Sequence, residues 1–175
     1  MLLVSSTSFA KQPRRSGFTM VLGFGVGSIQ VAGLNQYGKE RIDWGFEPHA
    51  ISFGGFLNND VALLGRWKST YHFTPNSEGE SANRFLGTFT LNAQWWFRPR
   101  VFVGAGVGVA TFGYGFGSAP DDPAWSVGGA LTARIGYAFA LFDHHALKLS
   151  FEIVTGFFGG GVASGETLNI EWQYY

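Results

Sequence analysis

The 175-residue sequence predicts an all-β fold: an eight-stranded, antiparallel, up-and-down transmembrane β-barrel. Three observations point there. Apolar side chains recur at a period of two along almost the whole chain after residue 17, the mark of strands whose two faces meet different surroundings. The connections between these segments alternate between long and short. Charged residues are only 14% of the chain, aromatic residues reach 17% and glycines number 26, a composition suited to an outer surface that meets hydrocarbon.

Residues 1–17 read as a leader, either the remnant of a signal peptide, with Ser8 and Ala10 as the small residues of a cleavage site, or a disordered segment. Residues 18–175 form the barrel. Strands are expected near 18–28, 48–57 and 60–72, and then over 85–97, where Phe85, Phe89, Leu91, Trp95 and Phe97 alternate with Leu86, Thr88, Thr90, Asn92 and Gln94. The fifth is expected at 101–112. Trp125, Val127, Leu131, Ile135, Tyr137, Phe139 and Leu141 mark the sixth, Leu147 to Phe157 the seventh, and Leu168, Ile170, Trp172 and Tyr174 the eighth.

The connections give the topology. Long ones are expected at 29–47, 74–83, 113–123 and 158–166, and short ones at Asn58-Asn59-Asp60, Arg98-Pro99-Arg100 and Asp143-His144-His145. Short turns on one side and long loops on the other, with an even strand count, place both termini at the short-turn end. No run of about twenty apolar residues is present to cross a membrane as a helix.

A soluble barrel with the same alternation would turn its bulky apolar face inward. Here that assignment overfills the lumen and leaves an exterior of Gly, Ala, Ser and Thr with few charges. The apolar face is therefore expected outside. The central strand segments carry no Asp, Glu, Lys or Arg on that face, where one charge costs about 2–4 kcal/mol at mid-membrane.

The opposite faces carry Arg66, Lys68, Arg134, Lys148, Glu152 and Glu171, expected to form an ion network in the lumen. Arg66, Arg134 and Glu152 fall at similar heights, and Arg134 and Glu152 lie on neighbouring strands within pairing range. Cations outnumber anions in this set. Loop carboxylates, water or a bound anion are the candidates for the missing partners. The network reads as a structural plug, with a gate or proton path as its functional alternative. Gly23, Gly25 and Gly27, with Gly104, Gly106 and Gly108, are expected to face the same lumen, making room for bulky neighbours such as Trp96 and Phe102 or leaving a cavity for a small ligand or acyl chain.

Other chemistry is thinly represented. Net charge is zero, so nothing recruits nucleic acid, and the absence of cysteine excludes disulfides and thiolate ligands. No cofactor motif is present: Gly104-x-Gly106-x-Gly108 lies within a strand with no helix after it. His144 and His145 are adjacent and point apart, and Asp121-Asp122 mark a solvated turn, so neither is expected to hold metal. His72 with Ser69 nearby, and His49 three residues before Ser52, are the candidates for a lipid-modifying enzyme. No catalytic set is complete. Tyr37, Trp44 and Phe46 in the first long connection are the candidates for contact with a partner.

The final strand, Leu168-x-Ile170-x-Trp172-x-Tyr174-Tyr175, together with the eight-strand plan of residues 18–175, resembles the small outer-membrane barrels of the OmpA/OmpX type. The alternation puts Tyr174 in phase rather than the last residue, unlike the usual pattern of that group. The resemblance implies a bacterial-type outer membrane with both termini periplasmic, and outer-membrane lipid as surroundings. It also implies insertion by the barrel-assembly machinery, and a structural or loop-mediated role, including contact with an envelope protein partner.

Overall fold

In a computed structural model, described here for residues 15–34, 42–75, 81–114 and 125–175, the chain forms eight strands. They are β1 (Gly17–Ala32), β2 (Ile42–Phe56), β3 (Val61–Pro75), β4 (Ser81–Trp96), β5 (Val101–Tyr114), β6 (Ser126–Leu141), β7 (His145–Phe158) and β8 (Gly161–Tyr174). Each pairs antiparallel with the next and β8 pairs with β1, closing the barrel. Closure leaves no free edge, so every strand has two partners.

The stagger is large. Following paired residues once around from Ala62 leads through Gln94, Gly104, Arg134, Glu152, Thr167, Gly27 and Gly45 to His72, ten residues further along the same strand. A stagger of this kind tilts the strands by roughly 35–45° to the barrel axis and lets neighbouring residues on one face interleave.

The three connections at the short-turn end are tight. At the β2–β3 turn the Asn58 side chain accepts from the backbone N–H groups of Asp60 and Val61, both at 2.9 Å, which fixes the reversal. The β4–β5 and β6–β7 turns lie at the same end of the barrel as Gly17 and Tyr174.

The alternation resolves into an apolar outside and a mixed inside. Phe24, Phe89, Leu91, Val107, Leu131, Ile135 and Ile170 are exposed, whereas the residues between them are buried. A band this apolar is stable only against hydrocarbon. Aromatic groups edge it. Trp95 and Phe97, and His145 stacked on Trp172 beside Tyr174, lie toward the short-turn end, and Tyr71, Phe85 and Trp125 lie toward the other.

Several strand ends differ from the sequence expectation. The first connection shrinks, because β1 runs on to Ala32 and β2 begins at Ile42. Trp44 and Phe46 are thus strand residues on the outer wall, not loop residues. Alternation hides the start of β2 because its pairing slips between Phe46 and His49 on one side and between Gly23 and Gly25 on the other. Pro48 sits at that slip. A proline has no N–H for the ladder, and the bulge around it exchanges inside for outside, so that Glu47 and Ala50 both face inward.

The last connection differs more. Instead of a loop over 158–166, β7 and β8 join through Gly159 and Gly160 alone. Small residues read as loop, yet they allow β8 to lie close on β1: a Cβ at Gly161 would collide with the Ala32 carbonyl. The extended β8 brings Glu166, half-buried, onto the outer face beside Ser164, whose hydroxyl meets that of Thr155 at 3.3 Å. One carboxylate therefore does face outward, toward the long-loop end of the band.

Candidate functional site

The lumen is layered. Its floor, at the short-turn end, is an apolar cluster of Trp96, Phe102, Ala138, Ala146 and Tyr175. Trp96 and Phe102 pack at 5.0 Å between ring centroids, and Tyr175 meets Phe56 edge-on at 6.0 Å. Arg15, just before β1, lays its guanidinium 3.9 Å from the Trp96 ring and donates to the Pro99 carbonyl at 2.6 Å. The part of the presumed leader that precedes β1 directly is thus built into the floor. Toward the long-loop end a second apolar cluster packs inside the wall, including Ile29, Leu34, Leu86, Phe112 and Ala163 with Phe158 against it.

Between the two lies the ion network. All six residues expected there point inward and are buried. Arg66 is its hub: it donates to both carboxylate oxygens of Glu152, at 3.2 and 2.7 Å, to Glu171 at 2.9 Å and to the Ser52 hydroxyl at 3.0 Å. The two-pronged geometry suits a guanidinium because its fork matches a carboxylate. Lys148 Nζ lies 2.9 Å from Glu171 and donates to Gln173, also at 2.9 Å, with the Phe102 ring 4.6 Å away. These contacts tie the ions to the aromatic floor.

One expected pair does not form. Arg134 and Glu152 are backbone partners, but Arg134 turns to Glu171 at 3.4 Å and to Gln94, while Glu152 reaches across to Arg66 and to Lys68 at 3.3 Å. In so narrow a barrel the opposite wall is as near as the next strand. The sequence also missed Glu47, which the β2 bulge turns inward to meet Lys68 at 2.9 Å. It supplies one of the carboxylates sought in the loops. Pro48 beside an acidic residue near a run of alternation is the signal that marks such a bulge.

Side chains fill the space beside the glycines of β5. A Cβ at Gly104 would sit 3.0 Å from the Arg134 side chain, and one at Gly106 would collide with Asn92. Arg134 and Asn92 occupy the space those glycines give up.

The histidines part company. His72 is buried in the lumen whereas Ser69, three residues earlier, faces outward, and His49 and Ser52 likewise lie on opposite faces. Neither expected pairing forms. Instead His49 and Ser69, opposite each other on β2 and β3, share a hydrogen bond of 3.0 Å on the outer wall, with the Trp67 ring 4.8 Å from the imidazole. Ser69 is only 1% exposed. Such a bond satisfies two polar groups that would otherwise face hydrocarbon. Tyr37, Asp121 and Asp122 lie outside the described residues, as do residues 1–14, while His144 sits exposed in its turn.

The closed eight-stranded barrel is shared with solved structures. Neisserial surface protein A superposes with a TM-score of 0.68 at 15% identity, covering 91% of this chain and 97% of that one. The fold is that of a small outer-membrane β-barrel. The Yersinia pestis attachment invasion locus protein, Ail, matches with a TM-score of 0.63 at 14% identity, covering 90% and 99% of the two chains. OprG from Pseudomonas aeruginosa matches at 0.50 and 12%, covering 93% and 97%. No family model and no curated relative matches the sequence. The likeness lies in the barrel itself.

Proposed function

We propose that the protein is an integral outer-membrane barrel with a structural or interaction role exercised at its long-loop rim, its termini in the periplasm and its lumen a plug. The observation that carries this reading is the packed interior: apolar clusters flank a paired, buried ion network, which leaves the outer surfaces as the places for contact. Trp44, 79% exposed on the outer wall toward the long-loop end, with Phe46 two residues on, is the contact point for an envelope protein partner. Ail has been crystallised with the heparin analogue sucrose octasulfate, an instance of a barrel of this shape that holds a ligand. Outer-membrane lipid surrounds the apolar band. Leu168, Ile170 and Tyr174, outward on β8, are what the assembly machinery reads, while Tyr175 turns into the floor.

A photo-crosslinking residue at Trp44 should capture a protein in intact cells, whereas the same group at Leu131 should capture lipid alone. Lipid alone at both positions would sink the interaction role. The barrel should also be silent in planar-bilayer recordings, and a steady conductance would overturn the plug. A second reading, lipid modification, is favoured by the His49–Ser69 bond alone. It would need the wall around Ser69 to open, because that residue is covered. If envelope lipids are unchanged by Ser69→Ala in cells where wild type alters them, that reading fails.

A further inference from the structure

The outer wall is not evenly convex. Ala93, Ala105 and Ala133 are successive partners across β4, β5 and β6, with Leu63 beyond one end of the row and Ile153 beyond the other. Three methyl groups stand where flanking outward positions carry Leu91, Val103, Val107, Leu131 and Ile135. The result is a groove of about 560 Å³ in the apolar band, deep enough that Gly106, a residue of the inner face, contributes to its lining.

The groove lies toward the short-turn half of the wall. Below it come Trp95 and Phe97 of the aromatic edge, and then the Arg98-Pro99-Arg100 turn that joins β4 to β5. Both arginines are exposed. Arg100 spends one guanidinium nitrogen on the carbonyls of Ala138 and Phe139, at 3.5 and 3.1 Å, which holds it against the foot of the wall, its other nitrogens without a partner among the described residues. Arg98 makes no ion pair among the described residues. Ala105 lies five positions beyond Arg100, roughly 16 Å at the usual rise per residue. That is the reach of a phosphate with the upper part of its acyl chain.

We infer that the Ala93–Ala105–Ala133 groove and the Arg98–Arg100 turn together bind one anionic phospholipid of the leaflet that meets the short turns, its chain in the groove and its phosphate on the two guanidinium groups. The groove alone would take any chain; the arginines select the headgroup, because planar donors pair with phosphate oxygens in a fixed geometry. This rests on the membrane location proposed above.

The test is native mass spectrometry of the detergent-folded full chain, delipidated and titrated with phosphatidylglycerol or with phosphatidylcholine of the same chains. Heat-modifiable gel mobility checks each sample, so that failure of the barrel itself is seen separately. Wild type should retain one phosphatidylglycerol about tenfold more tightly than phosphatidylcholine. Arg98→Gln with Arg100→Gln should erase the difference between the lipids, and Ala105→Leu with Ala133→Leu should weaken both. Equal retention of the two lipids by wild type, or a phosphatidylglycerol adduct unchanged when the groove is filled, overturns the inference.

Discussion

Glu152 and Ile153 are neighbours in the chain and lie on opposite sides of a wall one residue thick. The first is buried and held by two cations, and the second is 40% exposed. The contrast repeats along β7 and β8, where Lys148, Glu171 and Gln173 face in while Leu149, Phe151 and Ile170 face out. The inside keeps ions because it offers each a partner in fixed geometry. The outside excludes them because hydrocarbon offers none. Register follows from that difference: a slip of one residue would move every charge of a strand into lipid and every Leu and Ile into the lumen, so the network locks the pairing.

The sharpest way to break the contrast is to strip the network of its hub. Arg66→Met leaves Glu152 with Lys68 alone and deprives Glu171 of one of its cations, and the loss should be about 3–5 kcal/mol, the usual result of orphaning a buried partner. Urea unfolding in micelles, followed by tryptophan fluorescence, measures it. Removing both members of the bidentate pair, as Arg66→Met with Glu152→Met, should cost less than the two single losses added together. A single-variant loss below about 1 kcal/mol would mean that water reaches the lumen and solvates what remains.

The outer wall gives the complementary test. Leu131→Lys places a charge in the middle of the band and should cost about 2–4 kcal/mol, whereas Trp44→Lys, near the long-loop end, should cost about 0–1 kcal/mol in the same unfolding assay. Equal costs would show that the band has no apolar middle.

How much of this was legible in the sequence depended on whether a side chain's role is set by parity. The strand faces, the six inward ions and the outward aromatics follow from a period of two, and a period survives any uncertainty about where a strand ends. Glu47 was not legible because the bulge at Pro48 breaks the parity that would have placed it. Glu166 and the Gly159–Gly160 turn were not, because residues chosen for close strand approach look like residues chosen for flexibility. The choice of partners escaped too. Arg134 and Glu152 are adjacent by register, but a lumen this narrow lets Arg66 reach Glu152 from across the barrel, a distance that sequence spacing does not encode. His49 found Ser69 for a related reason: their pairing depends on the β2 register, which the same bulge sets.

The floor is where inside and outside meet, and its clasp should give the smallest effect of the set. Arg15 is buried among Trp96, Tyr175 and the Pro99 carbonyl, so Arg15→Ala removes a cation over an aromatic face together with one hydrogen bond, worth about 0.5–2 kcal/mol. Tyr175→Phe keeps the ring and forfeits the long 3.4 Å bond to the His145 carbonyl and the hydroxyl's contact with Arg15, so at neutral pH its effect should be small. The two variants separate under alkali. Burial pushes the Tyr175 phenol up, against the pull of Arg15, so the unfolded chain loses this proton before the folded one does. The stability held in the neutral phenol is complete below the ordinary phenol range and drains away as pH climbs through it. Wild type should therefore weaken above about pH 10 by more than Tyr175→Phe does. Identical alkaline slopes would place the last residue in water and leave the floor to Trp96 and Phe102.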